Sequence, residues 1–422
     1  MGKTLTQKIF DSHLINRPSP ETYALKLDLV MCHEITTPPA ILDIQEKWGD
    51  KVFDPEKIVA LIDHVSPAND SATALQGKVM REWARRQGIK FYDVGRNGIC
   101  HAILPEQGYV LPGMTIICGD SHTSTLGAFG AFAAGVGTTD LEAAILKGVA
   151  FFRQPKTMRI RLTGKLSWGV YAKDIILYLI SQIGVKGATD RVIEFCGPII
   201  DDLDMDGRMT ICNMAVEAGV TSGLCYPDDR TQAFYLEHQI PVGDFESLRN
   251  YWQPDGDAIY DQDKQFDLSL LEPQVTFGNN PAEVKPISEM VGIRVNQVYI
   301  GSCTNGRISD LRIAAKILEG RRISDSIRLI VVPATTEIQR QAIRESLASI
   351  FIDAGACFSA PTCGACLGMS NGVLAEGEVC ASTTNRNFPG RMGRGGTVYL
   401  MSPATAAATA LYGKITDPRE VM

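Results

Sequence analysis

Short apolar runs alternate along the chain with longer stretches of helical periodicity. Ile58–Asp63 reads as a strand that ends in Asp63-His64. Asp70–Gln87 reads as a helix, with Asp70 at its N-cap. Thr115–Cys118 reads as a short buried strand that runs into the polar turn Gly119-Asp120-Ser121-His122. Thr157–Thr163 alternates charged and apolar residues, as an exposed edge strand does, and Ala172–Ile183 reads as an amphipathic helix. Trp252–Leu268, rich in Asp, Gln and Pro, reads as a loop or boundary. Further on, Val298–Ile300 is a predicted strand feeding the loop Gly301–Gly306, and Leu329–Val332 another buried strand. Leu311–Leu318 and Glu337–Ala348 are the predicted helices between and after them. Such alternation predicts α/β layers in three blocks, residues 1–156, 157–278 and 279–422. One stretch breaks it: Pro361–Arg394 is irregular and dense in Gly, Asn and Cys. An irregular segment of that length inside a compact α/β region usually builds a site.

Composition narrows the class. The chain has 422 residues, 45% hydrophobic and 21% charged, which is ordinary for two to four globular domains. A net charge of -7 and only short basic runs, such as Arg85-Arg86 and Arg321-Arg322, argue against a nucleic-acid partner. The first ten residues lack the apolar core of a signal peptide, and no uncharged apolar run approaches membrane-spanning length, so a cytoplasmic protein is expected. Eleven cysteines without a secretion signal do not suggest a disulfide scaffold. Eight of them (Cys32, Cys100, Cys118, Cys196, Cys212, Cys225, Cys357 and Cys380) read as small buried hydrophobes.

The other three differ. Cys363 and Cys366 form a Cys-x-x-Cys, and Cys303 stands sixty positions earlier in Gly-Ser-Cys-Thr-Asn-Gly. Small flanking residues permit the close backbone approach that a bulky metal group needs. Thiolates suit soft metals and iron–sulfur clusters. The spacing alone also allows a redox dithiol or half of a zinc site. A cubane cluster held by three thiolates leaves one iron open as a Lewis acid.

Polar groups gather at predicted strand ends. Asp120-Ser121-His122 and Asp63-His64 lie there, where α/β sheets bind ligands. His33-Glu34, His101, and Asn213 with Glu217 at i, i+4 on one helix face extend the inventory. Five of the six histidines can pair with a nearby carboxylate, and only His238 reads as plainly exposed. A carboxylate fixes an imidazole's tautomer and raises its pKa, which suits a general acid acting on a departing hydroxyl. Asn385-Arg386-Asn387-Phe388-Pro389-Gly390-Arg391 places two guanidinium forks five positions apart in a non-helical loop, fit for carboxylates.

Four of these motifs together, Gly119-Asp120-Ser121-His122-Thr123, Gly301-Ser302-Cys303-Thr304-Asn305, Thr362-Cys363-Gly364-Ala365-Cys366 and Asn385 through Arg391, resemble those of the aconitase superfamily. The likeness runs from near Met1 to the C-terminus. Pro105-Glu106-Gln107-Gly108 and Gly135-Val136-Gly137-Thr138-Thr139-Asp140 are similar to its bacterial and archaeal two-subunit branch, which isomerises isopropylmalate. The resemblance implies three α/β/α domains around a central cleft. It implies a 4Fe-4S cluster there, with Cys303, Cys363 and Cys366 as ligands and one open iron. Asp63 and His64 match the pair that protonates the leaving hydroxyl. His101 with Asp120, and His122 with Glu217, match imidazole–carboxylate pairs near the iron-bound water. Ser121, Asn213, Asn385, Arg386 and Arg391 match groups that support cluster and substrate. His33 stands where aconitase has a Gln, which favours the isopropylmalate branch over aconitase itself.

What the resemblance implies is therefore a hydro-lyase of leucine biosynthesis that interconverts 2- and 3-isopropylmalate by dehydration and rehydration. Related substrates, homoaconitate, citramalate and 2,3-dimethylmalate, stay open at this point. So does an iron-sensing RNA-binding role, which the acidic balance disfavours. Full-length aconitases carry a fourth domain with the serine base, and this chain ends at Met422 without one. A separate small subunit is therefore expected to supply the base and the substrate-selecting loop, in a heterodimer or heterotetramer.

Overall fold

A computed structural model describes residues 2–421. Its architecture rests on three open, wholly parallel sheets. The first runs Lys90–Tyr92, Ile58–Leu61, Leu29–His33, Thr115–Cys118, Phe132–Gly135 across the sheet. A parallel sheet is covered on both faces, so its strands read as continuous apolar runs, and Leu-Val-Met-Cys-His at 29–33 is one. Alternate residues then divide between two cores. Val30 and Cys32 pack with Ile41, Met80, Trp83 and Ile145 under the outer helices Thr37–Trp48, Ser71–Gln87 and Thr138–Lys147. Leu29 and Met31 face the central core, with Cys118, Phe129 and the second sheet's Ile160 and Phe195. Asp70 caps the helix Ser71–Gln87 as predicted, within a full capping box.

The second sheet has the order Ser222–Cys225, Arg191–Cys196, Lys156–Thr163, Gln262–Asp267. Here two expectations fail. Residues 157–163 do not form an edge strand, because they have a hydrogen-bonded neighbour on each side and Met158, Ile160 and Leu162 are buried. The charge alternation that suggested an edge is used across strands, where the Arg159 guanidinium grips Asp263. The true edge is Gln262–Asp267, inside the stretch expected to be a loop. Its side chains alternate between exposed and half-buried, so no apolar stripe announces it.

The third sheet runs Cys357–Phe358, Arg328–Val331, Gln297–Ile300, Val379–Ser382, Thr397–Leu400. Val379–Ser382 lies within the segment expected to be irregular, with Val379 half-buried and the next three residues buried between Gly-rich flanks. The single helix expected at 337–348 is two, Thr336–Arg344 and Leu347–Ala354, broken where Ser346 turns left-handed at φ 61°. No helix among the described residues is long and apolar enough to cross a membrane.

The N-terminal helix Leu5–His13 is tied to the first sheet through its last residue. His13 Nε2 lies 2.8 Å from Asp28 Oδ2, and the same oxygen accepts the Thr115 backbone N–H at 2.9 Å. One carboxylate thus registers the starts of two central strands. Burial opposes charge on both partners, but their mutual hydrogen bond and opposite charges, together with bonds to Ile9 O and to Thr115, outweigh it, raising the His13 pKa and lowering that of Asp28. The lowered acid contributes stability present above ~3.9, its unfolded pKa, and the raised imidazole contributes stability fully present below ~6.5. The contribution is then lost as pH rises through the folded pKa of His13. Accordingly, His13→Ala is expected to cost on the order of 1 kcal/mol at pH 5.5 and clearly less at pH 9. Urea unfolding at the two pH values measures it; an equal cost at both would refute the pairing.

Candidate active site

Parallel strands bring their carboxyl ends to one edge. The first sheet therefore presents His33, the 63–65 turn and Asp120 together, and the third sheet's loops face them. Between them lies a cavity of about 220 Å³, lined by His33, His64, His101, Asp120, Ser121 and His122 from one side and by the three cysteines, Asn385, Arg386 and Arg391 from the other. Asn213 touches Cys303 behind the wall, and Asp63 and Glu217 support lining histidines. A larger cavity of about 300 Å³, between Glu106, Arg230 and Glu337, contains none of the predicted site residues.

The Asp63–His64 turn is clamped on two sides. Buried Glu34 accepts the backbone N–H groups of Asp63 at 3.1 Å, His64 at 2.8 Å and Val65 at 2.8 Å. From the third sheet, Cys363 N donates to Asp63 O at 2.7 Å and Gly364 N to His64 O at 3.1 Å. The turn so held brings His64 Nδ1 to 2.5 Å from Asp63 Oδ1, while Asp63 Oδ2 accepts Cys100 N at 2.9 Å. Burial would keep His64 neutral, but the Asp63 charge and hydrogen bonds to Asp120 and Asp63 overcome it and raise its pKa well above the ordinary value. His33 stacks on it, with ring centroids 4.2 Å apart. Burial and the His64 charge bring His33 down to about 3, so it is neutral. Its Nδ1 receives the Ile35 N–H at 3.4 Å, which leaves its proton on Nε2, 2.9 Å from Thr36 Oγ1. Thr36 comes this close because Gly119 faces it; a Cβ there would sit 2.3 Å from Thr36 Oγ1.

Asp120 is the hub of this same wall. Its carboxylate lies 3.2 Å from His101 Nε2, 3.4 Å from His122 Nδ1 and 3.4 Å from His64 Nε2. Although burial works against ionisation, the three imidazoles hold its pKa well below the usual carboxylate range. It also accepts His122 N at 2.7 Å and so caps the 3-10 helix Ser121–Phe129. His122 Nε2 reaches Glu217 Oε1 at 3.2 Å, and that oxygen accepts Arg386 Nε at 2.7 Å. Burial opposes protonation of His122, but Asp120 and Glu217 raise its pKa.

Asn213 and Glu217 do not share one α-helical face. The α-helix stops at Ala215, and Val216–Ala218 continues as 3-10, with three residues per turn. The tighter winding separates their directions. Asn213 Nδ2 points at Cys303 Sγ at 3.2 Å, and Glu217 turns to His122 and Arg386.

Cys303 sits on the single helical turn Ser302–Asn305, and Cys363 and Cys366 flank the start and middle of the 3-10 turn Gly364–Leu367. Gly301 allows the approach to the sheet, since a Cβ there would stand 2.8 Å from Val332 O. Asn385 joins two of the sulfurs, its Nδ2 3.5 Å from Cys303 Sγ and its Oδ1 3.5 Å from Cys366 Sγ. Burial pushes the Cys303 thiol up to about 12, whereas the hydrogen bond from Cys363 brings Cys366 down to about 5. Gathering three thiolates this close in a buried wall needs a bound cation centre. The wall shows matching unmet valences, because Arg391 Nε and both His101 nitrogens are buried without an aligned hydrogen-bond partner. The 3.2 Å contact of His101 with Asp120 is short but poorly aligned. Sulfurs, sulfur-directed amides and the buried Arg391 guanidinium beside Cys366 together fit a soft, anionic iron–sulfur group. His33, Glu34, Asp63 and His64 also converge within 4.8 Å, but their atoms are spent on each other and on backbone N–H groups.

Sequence reasoning erred on two bystanders and one site residue. Cys357 is exposed on a two-residue edge strand rather than buried. His238 is half-buried, stacked on Phe234 at 4.0 Å. His33 pairs with Thr36 and the His64 ring rather than with a carboxylate. It also passed over Lys173, Arg307 and Thr362, and saw Glu34 only as a neighbour of His33. Glu34 did carry a signal, a charge directly following a wholly apolar strand. Lys173 carried none, since a lysine early in an amphipathic helix looks solvated.

Residues 7–413 match the model of the aconitase family (aconitate hydratase). The 3-isopropylmalate dehydratase large subunit of Geobacter metallireducens is 61% identical, with 100% of each chain covered. Large subunit 1 of the same enzyme from Methanopyrus kandleri is 45% identical, with 99% of each covered. Aconitase X of Thermococcus kodakaraensis, in its holo-form crystal structure, shares the fold at a TM-score of 0.50 and 10% identity, over 90% of this chain and 89% of that one.

The clamp on the 63–65 turn has a direct consequence. Glu34→Ala leaves three buried N–H groups unsatisfied, at ~1–3 kcal/mol for each lost partner. The variant is expected to lose several kcal/mol by chemical denaturation, whereas Glu34→Gln, which keeps one acceptor oxygen, loses less. Equal stabilities for both variants and the wild type would show that Glu34 does not hold the turn.

Proposed function

This chain belongs to the aconitase family, and from that premise we propose that it acts as the cluster-bearing large subunit of a 3-isopropylmalate dehydratase. It is a hydro-lyase that isomerises 2-isopropylmalate and 3-isopropylmalate by dehydration and rehydration in leucine biosynthesis. The observation that carries this reading is full-length identity of 58% to 61% with five relatives bearing that name. The cavity supports it independently, because its groups suit removal of hydroxide from a carboxylated substrate.

The residues divide the work as follows. Cys303, Cys363 and Cys366 hold a 4Fe-4S cluster, with Asn213 and Asn385 directing N–H groups at Cys303. When bound, the cluster supplies an open iron, a Lewis acid for the departing hydroxyl. His64, charged because Asp63 and Asp120 hold its proton, faces the cavity and delivers that proton to the leaving oxygen. Neutral His33 stacks behind it and limits its rotation. Arg391, with a free Nε, takes a substrate carboxylate, and Arg386 presents the part of its fork not bound to Glu217. Ser121, on the cavity wall, donates to substrate oxygen. The pairs His101–Asp120 and His122–Glu217 hold or accept a proton as the hydroxyl leaves and returns. The relatives are named large subunits, which supports a small-subunit partner. We assign to that partner the base for the carbon-bound proton and the loop that selects the side chain.

The reading is tested with this chain assembled with its small subunit under anaerobic conditions. Turnover of 2-isopropylmalate, with rising ultraviolet absorbance from the unsaturated intermediate, is expected. His64→Gln should retain the cluster chromophore and lower kcat by ~10²- to 10⁴-fold. Serine at any one of the three ligand positions should abolish both the chromophore and activity. A fully loaded complex that turns over no malate-type substrate would overturn the assignment.

A further inference from the structure

Lys173 is the second residue of the helix Ala172–Ile183 and has no exposed surface. A fully buried ammonium is rare and disfavours folding unless its hydrogens are matched. Here all three are. Nζ lies 2.6 Å from Thr384 O, 2.8 Å from Thr383 O and 3.3 Å from Asn305 Oδ1. Every partner is an acceptor. The Asn305 amide is oriented by its own donations, to Asp310 Oδ1 at 2.9 Å and Thr210 Oγ1 at 3.3 Å, so its oxygen faces Lys173. A neutral amine has two hydrogens and a lone pair, which would meet an acceptor oxygen; the geometry therefore matches the charged form. The adjacent carboxylate of Asp174 is occupied elsewhere, with the backbone N–H groups of Gln274 and Tyr171.

The acceptors belong to two separate loops. Asn305 ends the turn that carries Cys303. Thr383 and Thr384 lead directly into Asn385, whose side chain bridges Cys303 and Cys366, and into Arg386. We propose that Lys173 is a positioning residue of the cluster mount: it locks the Cys303 turn to the Asn385–Arg386 loop and lends positive charge to the sulfurs of Cys303 and Cys366. An apolar residue of similar length fills the same space without either effect. Burial pulls the Lys173 pKa down to about 7, and Asp310, Cys366 and Cys303 act to raise it. The lysine and the thiolates therefore lie within each other's field. A backing cation lowers the cost of gathering negative sulfurs in a dry site and favours the reduced state of what they hold.

This inference rests on the cluster-bearing function proposed above, and its test separates the two. The wild-type complex with its small subunit is reconstituted first. If it takes up no iron–sulfur chromophore, the functional reading fails, whatever the variants do. Given loading, Lys173→Met is compared with Lys173→Arg. Lys173→Met is expected to release iron at least fivefold faster under mild oxidation. Its one-electron reduction equilibrium should shift about tenfold toward the oxidised state, ~59 mV. Lys173→Arg keeps the charge and should return the potential close to that of the wild type, a readout that packing alone does not move. Wild-type iron retention and potential in Lys173→Met would overturn the proposal. Should Lys173→Met fail to fold, Asn305→Ala decides: iron release at least twofold faster supports the brace, and an unchanged rate refutes it.

Discussion

The site depends on a stitch between two segments 300 positions apart in the chain, where the amides of Cys363 and Gly364 donate to the carbonyls of Asp63 and His64. These two hydrogen bonds fix the Asp63–His64 pair of one sheet relative to the cysteines of another. Thr362 reinforces them, its Oγ1 lying 3.1 Å from His64 O. Glu34 holds the same turn from beneath, so His64 is constrained from both layers. A side chain held by main-chain bonds from two sheets has little room to drift. The cavity exists because these sheets meet at the carboxyl ends of their strands, where loops are free to vary without disturbing either core.

The electrostatics follow from crowding opposite charges into a dry space. Asp63, Asp120 and Glu217 face His64, His101, His122 and Arg386 within about a hydrogen bond's reach. Isolated burial would neutralise most of these groups. Arranged in alternation, the carboxylates are held below their usual range and His64 and His122 above theirs. His33 shows the contrasting case. It lacks a carboxylate of its own and lies against a positive ring, so it stays neutral. Two stacked imidazoles therefore hold different protonation states, and that difference suits one to donate a proton and the other to orient it. On the opposite wall, Lys173 and Arg307 grip the Cys303 turn from behind, Arg307 through the carbonyls of Cys303 and Thr304 at 2.5 and 2.7 Å. The main chain around the sulfurs is thus tethered by cations from outside the cavity.

Much of this was legible in the residues themselves. Alternation of short apolar runs with helical periods specifies α/β layers, because a fully buried parallel strand needs an unbroken apolar run and its crossover needs an amphipathic helix. The Asp-His and Asp-Ser-His steps at strand ends and the three small-flanked cysteines marked residues that the fold brings to one cavity. Each of these is a local signal, carried by a few adjacent residues. The errors were local signals too, read without their neighbours: charges in 157–163 that serve a cross-strand pair, a polar edge strand at 262–267, and a helix broken at Ser346.

What tertiary structure alone decided is everything that depends on partners distant in sequence. Whether Asn213 and Glu217 act together depended on where an α-helix tightens to 3-10, which neither residue encodes. Glu34 and Lys173 are ordinary charged residues by sequence, and their roles come from three amides and three acceptors that the fold delivers to them. The protonation states of His33 and His64 likewise depend on burial and on which carboxylate the fold brings near, since the same imidazole in water titrates near ~6.5. The sequence by itself determined which chemical groups could meet and at which ends of which strands. Their distances, charges and pairing were settled only by packing, because hydrogen bonds and fields act through space rather than along the chain.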